Sequence, residues 1–117
     1  MTTAPSQPNV PPRFADCIAA CQACVLACEG CASACLREPD VQAMARCIAL
    51  DRDCADLCAL AATLMARDSA HAQALCALCA QACDACAEEC GGHQMDHCQA
   101  CAAACRRCAE ACRAMAQ

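Results

Sequence analysis

The sequence predicts an all-α protein, an antiparallel up-down-up-down four-helix bundle with a cysteine-lined core. Three observations predict it. Four alanine-rich segments are filled with helix formers and separated by short breakers. In three of them cysteine recurs at alternating gaps of three and four, the period of a bundle seam. Short connections between long helices make sequence neighbours antiparallel.

The first segment runs from about Phe14 to Leu36, and Pro39 disfavours helix at Glu38. Its seam is Cys17, Cys21, Cys24, Cys28, Cys31 and Cys35. The second starts near Asp40, a side chain suited to an N-cap, and runs to about Ala66. It has only Cys47, Cys54 and Cys58, but its seam completes as Met44, Cys47, Asp51, Cys54, Cys58, Ala61 and Met65. "RDSAH" breaks it, with Asp68 or Ser69 expected to cap the third segment. That segment carries Cys76, Cys79, Cys83, Cys86 and Cys90 and ends at the pair Gly91–Gly92. The fourth opens at "MDHCQ", where Asp96 and Gln99 resemble a capping box. It carries Cys98, Cys101, Cys105, Cys108 and Cys112 and runs to the C-terminus. Residues 1–12, with four of the five prolines, read as a disordered N-terminal tail, leaving 13–117 as the bundle domain.

The hydrophobic fraction of 60% comes mostly from alanine and 19 cysteines. Larger core builders are scarce: Phe14 is the one aromatic, beside eight leucines, two isoleucines and three valines. Cysteine, small and readily buried, must line much of the interior instead. A net charge of −5 and a pI near 4.9 argue against nucleic acid or an anionic membrane as partner. No apolar run is expected to approach the roughly 20 residues of a membrane span. The opening "MTTAPSQPNVPPR" lacks the charge and apolar stretch of a signal peptide, so the expected location is cytoplasmic.

In a secreted chain this cysteine density would mean a disulfide scaffold. Here the count is odd, glycine is limited to three, and thiols along one helix are badly spaced for pairing. Seam neighbours have Cβ atoms about 5–6 Å apart, whereas a disulfide wants about 3.8 Å. Two metal–sulfur bonds of about 2.3 Å span roughly 4.5 Å, so a two-coordinate ion fits. Soft thiolates select Cu(I), zinc or iron–sulfur clusters, and charge separates these. Four thiolates around Zn²⁺ leave a net −2, and the seams offer no arginine or lysine. Each Cu(I) replaces a thiol proton with one positive charge, so about one copper per cysteine keeps the core near neutral. Iron–sulfur clusters want thiols converging from local loops rather than running along helices.

One end of the predicted bundle collects Met44, His93, Met95 and His97, with Asp51 one seam layer inside. Imidazole and thioether both suit copper, so this end is the expected copper port, with His93, His97 and Asp51 as candidate ligands. The other end has Met65, His71 and Met115; the methionines read as packing and His71 as solvent-facing. His97 and Cys98, adjacent on a helix, are expected on different faces, so no Cys–His catalytic dyad and no enzyme is expected.

The ladder "CxxxCxxCxxxCxxCxxxC", the turn "CGGHQMDHC" and the closing "CAAACRRCAEAC" resemble the bacterial copper storage proteins, specifically their cytosolic branch, over roughly residues 14 to 115. The resemblance implies a largely preformed bundle binding many Cu(I) ions, mostly each by two cysteines, and a homotetramer. It places the family's histidines near the start of the last helix on His93 and His97, and its second-helix carboxylate on Asp51. An exported branch carries a Tat signal and a methionine-rich mouth; this chain shows neither. The function expected is cytosolic storage or sequestration of Cu(I), with a copper chaperone as the implied protein partner. Two rivals stand beside it: a zinc or cadmium store of metallothionein type, and a thiol–disulfide redox protein.

Overall fold

Each long alanine-rich segment forms one helix in a computed structural model, which describes residues 10–117. The helices are α1 (Ala15–Cys35), α2 (Ala45–Ala66), α3 (Ala72–Gly91) and α4 (Asp96–Ala116). Each packs on its sequence neighbours, and α4 closes against α1. Their sense follows from the contacts. Cys35 meets Cys47 at 3.9 Å while Cys24 meets Cys54 at 3.7 Å, so α2 runs back along α1. Cys47–Cys90 at 3.2 Å and Cys58–Cys79 at 3.5 Å reverse α3 against α2. Cys17–Cys112 at 3.7 Å and Cys31–Cys98 at 3.9 Å reverse α4 against α1.

The seam pattern holds in all four helices. Every cysteine is buried, and so is the whole completed α2 seam from Met44 to Met65. Alanines such as Ala61, Ala102 and Ala109 fill the remaining core positions. Apart from Asp51, charges lie outside, where pairs such as Arg113–Asp84 at 2.7 Å and Arg52–Glu29 at 3.6 Å link neighbouring helices. Exposed pairs of this kind contribute about 0–1 kcal/mol each, so the interior carries the fold.

The helix ends depart from the expected capping. Asp40 does accept from the Ala43 N–H at 3.3 Å, but it caps a short 3₁₀ turn, Val41–Met44, that leads into α2. Neither Asp68 nor Ser69 caps α3 directly. Asp68 takes a left-handed φ of 52°, which an aspartate tolerates, and pairs with Arg13 at 2.8 Å. Ser69, three residues before α3 begins, accepts the His71 N–H on its Oγ at 3.1 Å. The capping box at Asp96 does not form, because Asp96 is already the first helical residue. Gln99 therefore lies one position too deep and turns back. Its Nε2 donates to the carbonyls of Gly91 and His93, at 3.0 and 2.7 Å, stapling the α3–α4 turn. Gly91–Gly92 ends α3 without a left-handed cap, since Gly92 has φ −79°. Gly91 gives clearance instead: a Cβ there would stand 2.8 Å from Arg106 Nη2.

Two expectations about the N-terminal part change. The tail assigned to 1–12 lies outside the described residues up to residue 9, whereas Pro11 and Pro12 enter a 3₁₀ turn, Pro12–Phe14. Proline suits such a start because its φ is already set and it lacks an N–H to satisfy. The stretch Pro12–Cys35 is also long and apolar enough by composition to cross a membrane, with a mean hydropathy of 1.5 over an 18-residue window, contrary to the expectation of no such run. Cysteine and alanine produce that value, and all six cysteines of α1 point into the bundle core.

Phe14 is the only aromatic side chain and is 5% exposed, with Arg13 4.4 Å above its ring. In a core otherwise built from small residues its loss cannot be refilled by neighbours. Phe14→Ala is expected to cost about 3 kcal/mol, read as a lowered urea midpoint of the metal-free protein at unchanged slope.

Candidate metal centre

Because the seams face one another, the thiols form a continuous stack along the bundle axis. All 19 are free and buried. Thiols one turn apart on a helix stand 3.8 to 4.0 Å apart, as in Cys24–Cys28 and Cys101–Cys105. Thiols on neighbouring helices are as close or closer, with Cys24–Cys105 at 3.7 Å and Cys54–Cys83 at 3.5 Å. At the end where α1 finishes and α4 begins, Cys31, Cys35 and Cys98 gather with His97. Further in come the groups Cys28/Cys86/Cys101/Cys105 and Cys24/Cys28/Cys54/Cys105. Next are Cys24/Cys58/Cys83/Cys108 and Cys21/Cys79/Cys108/Cys112. Cys17, 3.7 Å from Cys112, closes the far end beside Cys76. Cys24, Cys28, Cys105 and Cys108 each belong to two of these groups.

The spacing is shorter than the roughly 4.5 Å of a linear two-coordinate ion, so such an ion spreads its pair by about 0.5–1 Å. Three bonds of about 2.3 Å in a plane put sulfurs about 4 Å apart, and four in a tetrahedron about 3.8 Å. Distance alone therefore admits several coordination numbers. Charge narrows them. A thiol common to two groups would bridge two ions rather than belong to one site. Among the described residues Asp51 is the only buried charged side chain, and it adds negative charge rather than balancing it.

Asp51 sits at 0% exposure one layer below the mouth. Its Oδ1 accepts S–H donors from Cys86, Cys101 and Cys90 at 3.1, 3.2 and 3.4 Å, and its Oδ2 takes Cys47 at 3.9 Å. Burial outweighs these donors and pushes its carboxyl up to about 6. Burial also dominates near the ends of the stack, raising Cys98 to about 11 and Cys76 to about 12. Within the stack the thiols act on each other. Hydrogen bonding, with Cys105 foremost, pushes Cys24 and Cys101 down. Other thiols are pushed up by the same kind of contact: Cys28 chiefly by Cys101, Cys58 chiefly by Cys108. A thiolate at Cys24 or Cys101 is held by its neighbours, which then keep their own protons.

The mouth separates the two candidate histidines. His97 turns Nδ1 to the sulfurs, 3.6 Å from both Cys31 and Cys98 and 4.0 Å from Cys35. The His97–Cys98 contact overturns the expectation that adjacent residues diverge. At the second position of α4 no preceding turn blocks the ring, so it folds back over the open end. His93 instead directs Nε2 to Glu89 at 2.8 Å, and Glu89 also holds Arg46 at 3.3 Å. Met44 is fully buried and Met95 partly so, both packed on the core. At the other end Met65 is buried and His71 exposed. Sequence reasoning missed Glu38 and Glu89, which bind the two imidazoles. For Glu89 a signal existed, the i,i+4 spacing to His93. Glu38 lies 59 positions from His97 and carries none.

The sequence profile of the copper storage proteins matches residues 11–117. The chain is similar to a Cu(I)-bound copper storage protein, BsCsp3, with TM-score 0.87 and 51% identity, covering 90% of this chain and 99% of the other. The copper storage protein Ccsp from Streptomyces lividans, loaded with 10 copper equivalents, has TM-score 0.87 and 37% identity over 98% of this chain and 92% of its own. A cytosolic copper storage protein of the same organism, carrying five coppers, has TM-score 0.86 and 40% identity over 89% and 92%.

Asp51 titrates against stability in a defined direction. Its proton is held more tightly in the folded chain than at the ordinary value of 3.8, so ionising it opposes folding. The cost is absent below pH 4, grows as pH rises to about 6, and is complete above it. A difference of about two units corresponds to about 3 kcal/mol. Metal-free Asp51→Asn is therefore expected to exceed wild type by about that much at pH 7 and to match it near pH 4, in paired urea unfolding curves.

Proposed function

The chain belongs to the copper storage protein family, and on that premise we propose that it stores Cu(I) in the cytoplasm on thiolates inside the bundle. One observation carries the reading: 19 buried thiols form one stack whose only buried charged neighbour is a carboxylate, among the described residues. A divalent ion held by four thiolates would leave each site at −2 with no cation nearby. A monovalent soft ion replaces each S–H proton charge for charge.

The residues divide the work. His97 and the thiols Cys31, Cys35 and Cys98 form the receiving group at the mouth. His93, and Asp51 one layer in, complete the proposed ligand set with the 19 cysteines. As copper binds, the thiol proton leaves; the stack's mutual S–H donation holds the thiolate until the bond forms. Because thiols are shared between groups, an ion moves inward by gaining one sulfur as it releases another. Catalysis is not part of this reading. The cytoplasmic assignment is supported by the Streptomyces lividans relative described as cytosolic.

The finer assembly is part of the same proposal. Leu26 is 75% exposed and Leu36 59%, with Leu60 and Leu78 at 45 and 47%. Apolar exposure of this kind supports association of chains, and the homotetramer is the state we assign. A copper chaperone is the assigned donor, with the partly open His97 end as the place of transfer. Zinc remains a second reading on one observation, the tetrahedral spacing of groups such as Cys24/Cys28/Cys54/Cys105.

Three measurements check these assignments. Titration against a Cu(I) chelator is expected to run well past five ions per chain and approach one per thiol; saturation at four or five would overturn copper storage. Below the thiol pKa values each Cu(I) displaces about one proton, so the apparent dissociation constant should rise about tenfold per unit of falling pH, against a steeper dependence for a four-thiolate zinc site. Light scattering coupled to size exclusion is expected to give four times the 12.1 kDa chain mass; a monomer would refute the tetramer alone.

A further inference from the structure

The mouth holds a contact that the copper reading does not use. While Nδ1 of His97 faces Cys31, Cys35 and Cys98, its Nε2 lies 3.1 Å from Glu38 Oε2. The two side chains are 25 and 27% exposed, so the bond is neither buried nor fully in water. A carboxylate only accepts, so this bond puts the ring proton on Nε2 and leaves the lone pair of the neutral ring on Nδ1. Without the acceptor either nitrogen can carry the proton, and a ring protonated at Nδ1 offers no lone pair to an ion among the three thiols.

The carboxylate is itself held. Glu38 lies three residues past the end of α1, and its backbone N–H donates to the Cys35 carbonyl at 3.2 Å. Pro39 restricts its backbone from the other side. Glu38 therefore stands one turn from a thiol of the receiving group and reaches across to α4. The other imidazole pair is built differently. Glu89 lies on the same helix one turn before His93 and divides its oxygens between His93 and Arg46.

We propose that Glu38 is a positioning residue for copper capture: bonded to Nε2–H of His97, it fixes the ring so that Nδ1 presents its lone pair toward Cys31, Cys35 and Cys98. The proposal rests on the Cu(I)-storage reading. As an ion pair, a half-open contact contributes little stability. Its effect lies in the ring's orientation and proton. A ligand histidine whose other nitrogen is held by a carboxylate binds metal better, and losing that partner typically costs about 10–100-fold.

The test uses the full chain. Histidine side-chain ¹⁵N spectra of the metal-free protein at pH 8 should show His97 as the Nε2–H tautomer in wild type and in Glu38→Gln, whose amide oxygen still accepts. Glu38→Ala should show a mixture. Stopped-flow transfer of the first Cu(I) from its bathocuproine disulfonate complex should slow about tenfold in Glu38→Ala, with most of the rate restored in Glu38→Gln. In a His97→Ala background Glu38→Ala should change nothing further. An unchanged tautomer, an unchanged rate, or equal slowing in the His97→Ala background would each overturn the role of Glu38. Total Cu(I) at saturation is read in the same experiment. Wild type stopping at four or five ions overturns the storage reading, whereas full loading at an unchanged rate overturns Glu38 alone.

Discussion

Contact between sulfurs of neighbouring helices is what the rest of the molecule depends on. A thiol reaches only a short way from its backbone, so four helices can share a cysteine core only by approaching closely. The alanines between the thiols permit that approach; Ala102 and Ala109 of α4 are fully buried and put only a methyl group between the helices. Larger side chains are confined to the ends of the stack, with Met44 at the His97 mouth and Phe14 and Met65 at the other. The middle of the protein is thus nearly uniform in chemistry, and its ends differ from it and from each other.

That uniformity gives electrostatics its weight. A core of interchangeable donors has no geometric preference strong enough to choose a metal, since sulfurs 3.5 to 4.0 Å apart suit planar and tetrahedral arrangements alike. What selects is the balance of charge in a space from which water and cations are excluded. Asp51 belongs to the same balance. Ionised, it is one more negative site for a cation to neutralise; protonated, it is a small polar plug among thiols. Burial moves that balance toward the protonated form, with the carboxyl raised to about 6.

The helices and their inward faces were legible in the sequence because both come from a local, repeated signal. The 3/4 spacing specified which face of α1, α3 and α4 is buried, and it survived in α2 even where Asp51, Ala61 and two methionines replace cysteine. The ends were less legible. Whether Asp96 caps a helix or begins it differs by one residue, and that shift redirected Gln99 from its own helix to the carbonyls of Gly91 and His93. The mouth was least legible. His93 and His97 looked alike as sequence, but the α3–α4 turn sends one to Glu89 and folds the other onto the thiols. The partner of His97 comes from a loop whose position depends on how α1 and α2 pack.

Phe14, buried where the chain enters the bundle, is the sole aromatic, and neither tryptophan nor tyrosine occurs. The protein is therefore almost transparent in the near ultraviolet and has no indole or phenol emission. Sulfur-to-metal charge-transfer bands rise from an empty baseline there, and so does the luminescence that clustered Cu(I) thiolates give when water is kept away. Metal binding to the stack can therefore be followed optically with no label attached.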